Sequence, residues 1–381
     1  MLSEHDRSEG EAVRAGREIP DPGRSRSESR WAEIDLGAIR FNVRQVIDAL
    51  PADARLLAVI KANGYGHGAV AVGRAMLEAG ADMLAVSTPQ EAVELRDVCP
   101  PERILALGGL TPGQAGVAIE AGCAVTCHSW ELADALEAAA RPGMRVPVHL
   151  KVDTGMGRLG CAPGEAAALA RHIARAPRLR LAGVFTHFAS AESDDAFTRE
   201  QFERFQRVLD GLDVDPGLRH ACNSAAALRY PGMALDAVRC GLALYGYEWP
   251  GLRPALALRA LVTQVKEVQP GGTVGYGRTW RAERATRIAT VAIGYEDGVF
   301  RRRSNRGSVA VCGRRVPLVG RVSMDQATVD VTAIPEVRAG DVATIIGEGI
   351  SAAEVGEWSD TVCYEILTSL GTRVRRVYLD S

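Results

Sequence analysis

From Arg55 to about Gly246, short apolar runs alternate with Ala- and Glu-rich stretches. The runs Leu56–Lys61, Met83–Ser87, Ile104–Leu107, Ala124–Cys127, Val146–Val152, Leu181–His187, His220–Asn223 and Val238–Tyr245 read as buried strands, because a short apolar run bounded by turn signals is buried on both faces. The stretches between them, such as Gly68–Ala79, Pro89–Asp97, Gly113–Ala121, Ser129–Ala139, Pro163–Ala174 and Thr198–Leu209, read as helices. Several of these open with a capping or first-turn residue: Thr88 before Pro89, Thr111 before Pro112, and Ser129 before Trp130. Strands alternating with helices imply a parallel sheet. Their number favours a closed (β/α)8 barrel over an open doubly wound sheet. No G-x-G-x-x-G follows the first strand, which removes the main signal for a dinucleotide fold.

After about Leu258 the helical pattern nearly vanishes. Val-, Thr- and Ile-rich runs separated by Gly and Pro take over, at Leu261–Val268, Thr286–Ile293, Val309–Cys312, Val316–Leu318, Ala327–Asp330 and Val342–Ile346. Only Ala352–Glu357 and Val362–Thr368 read as short helices here. The expected organisation is a tail over residues 1–30, a barrel over 31–258 and a β-rich domain over 259–381. Ser3 to Arg30 is rich in Ser, Glu, Arg and Gly and nearly free of large apolar side chains, so it is expected to be a disordered tail. It has no apolar core of the kind a secretory signal needs.

Composition adds mainly exclusions. A net charge of −2 gives no electrostatic case for nucleic acid or an anionic membrane. No apolar run approaches the ~18 residues of a spanning helix. The eight cysteines are scattered, without a C-x-x-C pair, which argues against a metal site and fits free thiols in a reducing cytoplasm.

Reactive residues of a (β/α)8 barrel lie at the C-terminal strand ends and in the following loops. Lys61 directly follows the apolar run Leu56–Ile60 and precedes the glycine-rich Ala62-Asn63-Gly64-Tyr65-Gly66-His67-Gly68. A lysine at an apolar barrel mouth is partly desolvated, which lowers its pKa and supplies the neutral amine that condenses with an aldehyde. The bland alternative is a strand-end lysine that snorkels to water. Asn223-Ser224 and Gly241 could form an anion pocket of backbone N–H groups and a hydroxyl, or Ser224 could be a plain helix cap. His187 and Arg239 stand at strand ends facing the same mouth. The residues fit an aldehyde cofactor bearing a phosphate, and equally a Schiff-base aldolase acting on a sugar phosphate.

Ten motifs carry a more specific signal. Val59-Ile60-Lys61-Ala62-Asn63-Gly64-Tyr65-Gly66-His67-Gly68 resembles the pyridoxal-phosphate attachment segment of the alanine racemase family. Trp31-Ala32-Glu33-Ile34-Asp35-Leu36, Lys151-Val152-Asp153-Thr154-Gly155-Met156-Gly157-Arg158-Leu159-Gly160, Thr186-His187-Phe188-Ala189, Asn223-Ser224-Ala225, Arg239-Cys240-Gly241, Tyr276-Gly277, Ile293-Gly294-Tyr295, Gly320-Arg321-Val322-Ser323-Met324-Asp325 and Tyr364-Glu365-Ile366-Leu367 are similar to further segments of that family, in the same order.

The resemblance implies a barrel followed by a β domain, pyridoxal 5′-phosphate as cofactor, L- and D-alanine as substrates and a homodimer with shared sites. It implies that Lys61 carries the cofactor and works one face of the substrate. Tyr276 of the partner subunit works the other, because racemisation needs a base on each face. His187 is implied to act on that tyrosine. Arg239 is implied to hydrogen-bond the pyridine nitrogen as a permanent donor that keeps the ring a weak electron sink. Tyr65, Asn223, Ser224, Gly241, Leu242 and Tyr364 match cofactor-binding positions, and Arg158 and the Met324 amide match groups near the substrate carboxylate. Lys151 matches a lysine that is carbamylated in some members. Glu192, Tyr295, Arg301, Arg321 and Thr372 match the substrate entrance, and no metal is implied. The family purpose, D-alanine for cell-wall peptidoglycan, comes as an expectation with it.

Two departures stand out. Thr372-Arg373-Val374-Arg375-Arg376 lacks the proline of a common Arg-Val-Pro-Arg ending, and Thr372 replaces a frequent tyrosine, which opens the question of serine as a substrate. A related decarboxylase of basic amino acids would need an acidic residue where Arg239 stands. A single-barrel cofactor-binding protein would lack the β domain.

Overall fold

A computed structural model of the chain describes residues 28–381. The expected tail over residues 1–30 lies almost wholly outside the described residues. The chain divides into two compact units.

Residues 36–254 form the barrel unit. Eight parallel strands, β2 (Arg55–Val59), β3 (Met83–Val86), β4 (Ile104–Ala106), β5 (Ala124–Cys127), β6 (Val146–Lys151), β7 (Leu179–Phe185), β8 (Leu218–His220) and β9 (Ala237–Cys240), close in sequence order, with β9 pairing back onto β2. All but a few of their side chains are buried, which explains why they read as unbroken apolar runs. An apolar cluster of Leu57, Leu105, Ala124 and Ala237, with Met83 and Leu218 against it, fills the barrel near the strand beginnings. Polar side chains enter toward the strand ends: Thr126, His149, Lys151, His220 and Arg239 are all buried.

Helix Leu36–Asp48, which precedes the first barrel strand, packs on the turn that follows the last. Its fully buried Asn42 fastens that end, donating to the carbonyls of Leu244 (3.2 Å) and Arg253 (2.8 Å) and accepting from the Arg253 amide (2.8 Å). An amide that satisfies three backbone groups can be buried without the usual penalty for a polar side chain.

Residues 255–379, together with the described residues before Leu36, form the β-rich unit. Its main sheet runs β15 (Arg314–Pro317), β14 (Ser308–Val311), β17 (Val342–Ile346), β10 (Leu256–Val268), β1 (Arg30–Asp35), β18 (Arg375–Leu379). Strand β13 (Thr286–Val291) joins β10 and carries β16 (Ala327–Asp330) on its other edge. The short strands β11 (Thr273–Val274) and β12 (Trp280–Arg281) pair separately.

The expected boundaries at 31 and 258 differ from this division. Strand β1 lies antiparallel to β10 and parallel to β18, inside the β-rich sheet, and the chain leaves the barrel at Pro254. The reason is that a run such as Trp31-Ala32-Glu33-Ile34 states that one face is buried, not which sheet buries it. Arg30 adds a directional anchor. Its Nη1 donates to the fully buried carboxylate of Asp297 at 3.0 Å, and Arg373 reaches the same oxygen at 3.2 Å.

Seven of the eight cysteines are buried and Cys312 is exposed. Among the described residues no helix is long and apolar enough to cross a membrane, and no group of side chains could hold a metal ion.

Candidate active site

Lys61 lies immediately beyond β2, at the open end of the barrel. The five residues Lys61–Tyr65 make one tight turn of the wrong hand. Ala62 (φ 53°, ψ 51°), Asn63 (52°, 49°) and Gly64 (62°, 46°) are left-handed, and Tyr65 also has positive φ. Left-handed backbone costs roughly 1–2 kcal/mol per non-glycine residue, so the turn must be held by its surroundings. The Gly64 amide donates to Ile60 (2.8 Å), the Gly66 amide to Ala62 (3.0 Å) and the Gly68 amide to Asn63 (2.9 Å). The Asn63 side chain accepts from the Ala69 amide at 2.9 Å and so joins the turn to helix Ala69–Glu78. A Cβ on Gly64 would fall 2.7 Å from Val72 Cγ2, which fixes glycine there on steric as well as conformational grounds.

Glu91 completes the anchorage. Its Oε1 accepts from the Ala62 amide (2.7 Å), while Oε2 accepts from the amides of Ser87 (2.6 Å) and Thr88 (3.2 Å). The residue after Lys61 is thereby tied to the end of β3. Sequence reasoning gave Glu91 no role, although Thr88-Pro89-Gln90-Glu91 is a complete capping-box signal and forms one. The Lys61 side chain keeps contact with solvent, but the barrel rim crowds its ammonium. That desolvation, reinforced by the charge of Arg158, lowers its pKa, and Glu91 opposes the shift. A lowered pKa enlarges the fraction of neutral, nucleophilic amine.

Arg239 is the centre of the buried polar network. Its Nη1 donates to His220 Nδ1 at 2.8 Å; Nη2 faces the carbonyls of Thr186 and Ala221, each at 2.8 Å, and His187 Nδ1 at 3.1 Å. These acceptors come from the ends of β7 and β8, so one guanidinium bridges three neighbouring strands. Arginine only donates, which fixes the tautomers. His220 must accept at Nδ1 and carry its proton on Nε2, which donates to His149 Nδ1 at 2.9 Å. His220 also stacks on Phe185 with ring centres 4.8 Å apart and planes 9° apart. His149 and His220 escaped the sequence reading because a lone strand histidine has many ordinary uses; only the barrel brings them into line.

No carboxylate pairs with this cluster among the described residues. Burial, and then the field of Arg239, hold His220 and His187 well below the ordinary histidine range, and the same two causes push Lys151 well below its usual value. Burial and the charges of Arg180 and Arg239 lower His149 to about 3. Lys151 Nζ lies 4.2 Å from the centre of the Phe185 ring. Arg239 is thus a buried cation among histidines and a lysine whose protonated forms are disfavoured first by burial and then by its charge. Arg239 Nε donates to no protein group among the described residues, leaving a donor for a ligand nitrogen.

Beside Arg239, Gly241 makes close contact with Tyr65. A Cβ on Gly241 would stand 2.5 Å from Tyr65 Oη. The Gly241 amide donates to Ser224 Oγ at 2.9 Å, and Asn223 caps helix Ser224–Arg229 through the Ala226 amide (2.9 Å). Tyr65 Oη, Ser224 Oγ and the Gly241 and Leu242 amides thus come from neighbouring points of the rim. A phosphate taking the Gly241 amide would require the Ser224 hydroxyl to turn from acceptor to donor. Burial raises the Tyr65 phenol to about 12, so it acts as a neutral O–H donor. Glu192 is exposed and meets Asn223 Nδ2 at 3.5 Å.

Arg158 ends an exposed loop organised by Asp153, whose Oδ1 accepts from the amides of Gly155 (2.9 Å), Met156 (2.9 Å) and Gly157 (3.2 Å). Burial acts to raise the Asp153 pKa, but those three hydrogen bonds outweigh it and hold the carboxyl below its ordinary value.

The remaining expected residues belong to the β-rich unit. Tyr276 is 71% exposed, in the turn Tyr276–Arg278. That turn rests on Arg321, since a Cβ on Gly277 would meet Arg321 Nη1 at 2.9 Å. Tyr295, Met324, Arg301 and Thr372 are exposed, while Arg321 and Tyr364 are half-buried. Arg373, beside Thr372, ties Asp297 to Asp325 (2.7 Å) and so links the Tyr295 and Met324 segments.

The profile of the family described as alanine racemase, N-terminal domain, matches residues 34–249, and that of alanine racemase, C-terminal domain, matches 255–378. An alanine racemase of Halothermothrix orenii is 40% identical over 365 residues, covering 91% of this chain and 96% of its own. The crystal structure of alanine racemase from the D-cycloserine producer Streptomyces lavendulae has a TM-score of 0.87 at 39% identity, covering 94% of this chain and 98% of its own. That of the Bartonella henselae enzyme, with covalently bound pyridoxal phosphate, has a TM-score of 0.85 at 30% identity, covering 92% and 99%. With both domain profiles matched in order and relatives alike over nearly the whole length, the chain belongs to the alanine racemase family of pyridoxal-phosphate-dependent isomerases.

Proposed function

We propose that this protein interconverts L- and D-alanine by two-base proton transfer in a homodimer with shared sites. The observation that carries this reading is the buried Arg239, fixed by His220 and two carbonyls, with Nε left as a donor. That donor suits a pyridine nitrogen, which needs a hydrogen bond and, for racemisation, no full proton. Pyridoxal phosphate, when bound, supplies the electron withdrawal that makes the substrate Cα–H acidic. Lys61 would hold it covalently, Tyr65, Ser224 and the Gly241 and Leu242 amides its phosphate, with Asn223 and Tyr364 beside them, and Arg239 its ring nitrogen.

The protein's own groups then divide the proton work. Lys61 Nζ, lowered toward the neutral amine, moves the α-proton on one face. Tyr276 of the partner subunit moves it on the other, and His187, which accepts from Arg239 at Nδ1 and so carries its proton on Nε2, would donate a hydrogen bond to that phenol oxygen and favour its phenolate form. The exposure of Tyr276, Tyr295 and Met324 on a single chain supports a role completed by a second copy. Arg158 and the Met324 amide orient the substrate carboxylate. Carbamylation of Lys151 fits its neutral, buried amine and would add a negative charge near Arg158, whose field acts on Lys151. Tyr295, Arg301, Arg321, Glu192 and Thr372 would shape the entrance. Supply of D-alanine for peptidoglycan, in the cytoplasm, is the role that follows.

The test is incubation of the purified holoprotein with L-alanine and chiral chromatography of the product. D-alanine should form, Lys61→Ala should abolish it, and borohydride should trap the cofactor on the Lys61 peptide. A trapped adduct on another lysine would overturn the assignment.

A further inference from the structure

Arg303 lies in the β-rich unit and is fully buried, with 0% of its surface exposed. It ends the turn Arg301–Arg303, which packs against helix Ala352–Ser359. A guanidinium carries five N–H donors. Nη2 donates to the Ser308 carbonyl at 2.7 Å, but Nε and Nη1, both shielded from solvent, have no hydrogen-bond partner. Its charge centre sits 5.4 Å from the centre of the Trp358 ring.

Nearby carboxylates are engaged elsewhere. Asp360 pairs with Arg302 on the surface, and Glu354 takes Arg315 through both oxygens (2.8 and 3.1 Å). Among the described residues, then, Arg303 has no anionic partner. Burial lowers its pKa to about 10, which still leaves the guanidinium charged at neutral pH. An unpaired charge in a protein interior is costly, and a cation–π contact recovers only part of that cost.

We propose that Arg303 binds a small monovalent anion of the halide class through Nε and Nη1. Charge decides the class. One negative charge neutralises one guanidinium, whereas the desolvation cost of a sulfate or phosphate grows with the square of its charge and would leave the site net negative. The site is separate from the proposed racemisation machinery and does not depend on it. Its role would be to hold the turn carrying Arg301 against the last long helix.

The experiment follows thermal unfolding of the full-length holoprotein while bromide replaces gluconate at constant ionic strength, in parallel with sulfate. The midpoint of the native protein should rise saturably with bromide. At ten times its dissociation constant the anion multiplies the folding equilibrium constant about elevenfold. Arg303→Leu should lose the bromide response whatever its own midpoint. If that variant does not fold, crystals grown in bromide decide the matter by anomalous scattering. A peak within hydrogen-bonding distance of Nε or Nη1 supports the site, and none there overturns it. An undiminished response in Arg303→Leu, or a sulfate response as large as that of bromide, would also overturn it.

Discussion

Arg239 donates from Nη1 to His220 Nδ1 at 2.8 Å, and every acceptor around that guanidinium is a carbonyl or an imidazole rather than a carboxylate. The arginine therefore stays charged without a neutralising carboxylate and is a poor proton donor to any ring nitrogen bound beside it. Arg239→Glu should slow racemisation by on the order of 10²-fold, as for loss of a preorganised donor, and raise transamination, because a carboxylate stabilises a protonated ring. Chiral chromatography with a keto-acid assay reads both. Unchanged racemisation without keto acid would mean that Arg239 does not touch the cofactor.

The exposed Tyr276 leads to a complementation result. Lys61→Ala and Tyr276→Ala proteins should each be nearly inactive. After mixing and subunit exchange, half the dimers are hybrid and one of their two sites holds both native residues, so roughly a quarter of native activity should return. Failure to recover activity despite demonstrated exchange would place Lys61 and Tyr276 of one site on the same chain.

The neutral histidines make the barrel acid-sensitive. His149 has a folded pKa of about 3 against an ordinary 6.5, so between those values the unfolded chain binds a proton that the folded one does not. Stability contributed by this site is full above pH 6.5 and falls as the pH drops toward 3, by about 1.4 kcal/mol per pH unit. His149→Gln should have a shallower loss between pH 6.5 and 5, measured as the urea midpoint, where most carboxylates do not yet titrate. An identical slope in both proteins would mean that His149 is protonated in the fold.

Gly241 has no room for a side chain. A methyl group 2.5 Å from Tyr65 Oη must displace a ring packed 4.9 Å from that of Tyr245. Overpacking of this kind costs about 1–3 kcal/mol. Gly241→Ala should therefore hold pyridoxal phosphate about tenfold more weakly, by absorbance titration, while keeping its circular dichroism. Native affinity would remove Tyr65 and Gly241 from the phosphate site.

Thr372, which the family resemblance sets at a position often held by tyrosine, is exposed, and its neighbour Gly371 lies against the Glu296 carbonyl, next to Tyr295. The smaller side chain and its hydroxyl should let a hydroxymethyl group enter, so L-serine should be racemised measurably, with alanine preferred. An apolar pocket rejects an added hydroxyl by only about 10²-fold, so a modest polar opening matters. Thr372→Tyr should lower the ratio of kcat/KM for serine over alanine. An unchanged ratio would show that position 372 does not set substrate choice.

The sequence by itself determined the barrel, the β-rich remainder and the strand-end residues Lys61, Lys151, His187, Asn223 and Arg239. These are local facts: apolar runs of strand length, capping signals such as Thr88 before Pro89, and polar residues where such runs stop. Tertiary structure alone decided the rest. Strand β1 belongs to the β-rich sheet because periodicity encodes a buried face and not its partner. The turn after Lys61 is left-handed through Ala62 and Asn63 as well as Gly64, which composition does not announce, because backbone amides bonded to the Glu91 and Asn63 side chains hold it there. The tautomers of His220 and His149 follow from a distant arginine, and Arg303, the last of three consecutive arginines, is buried beside the helix bearing Trp358. Local sequence specifies which groups are apolar or charged; only the packed chain specifies which charges lose their water and what then faces them.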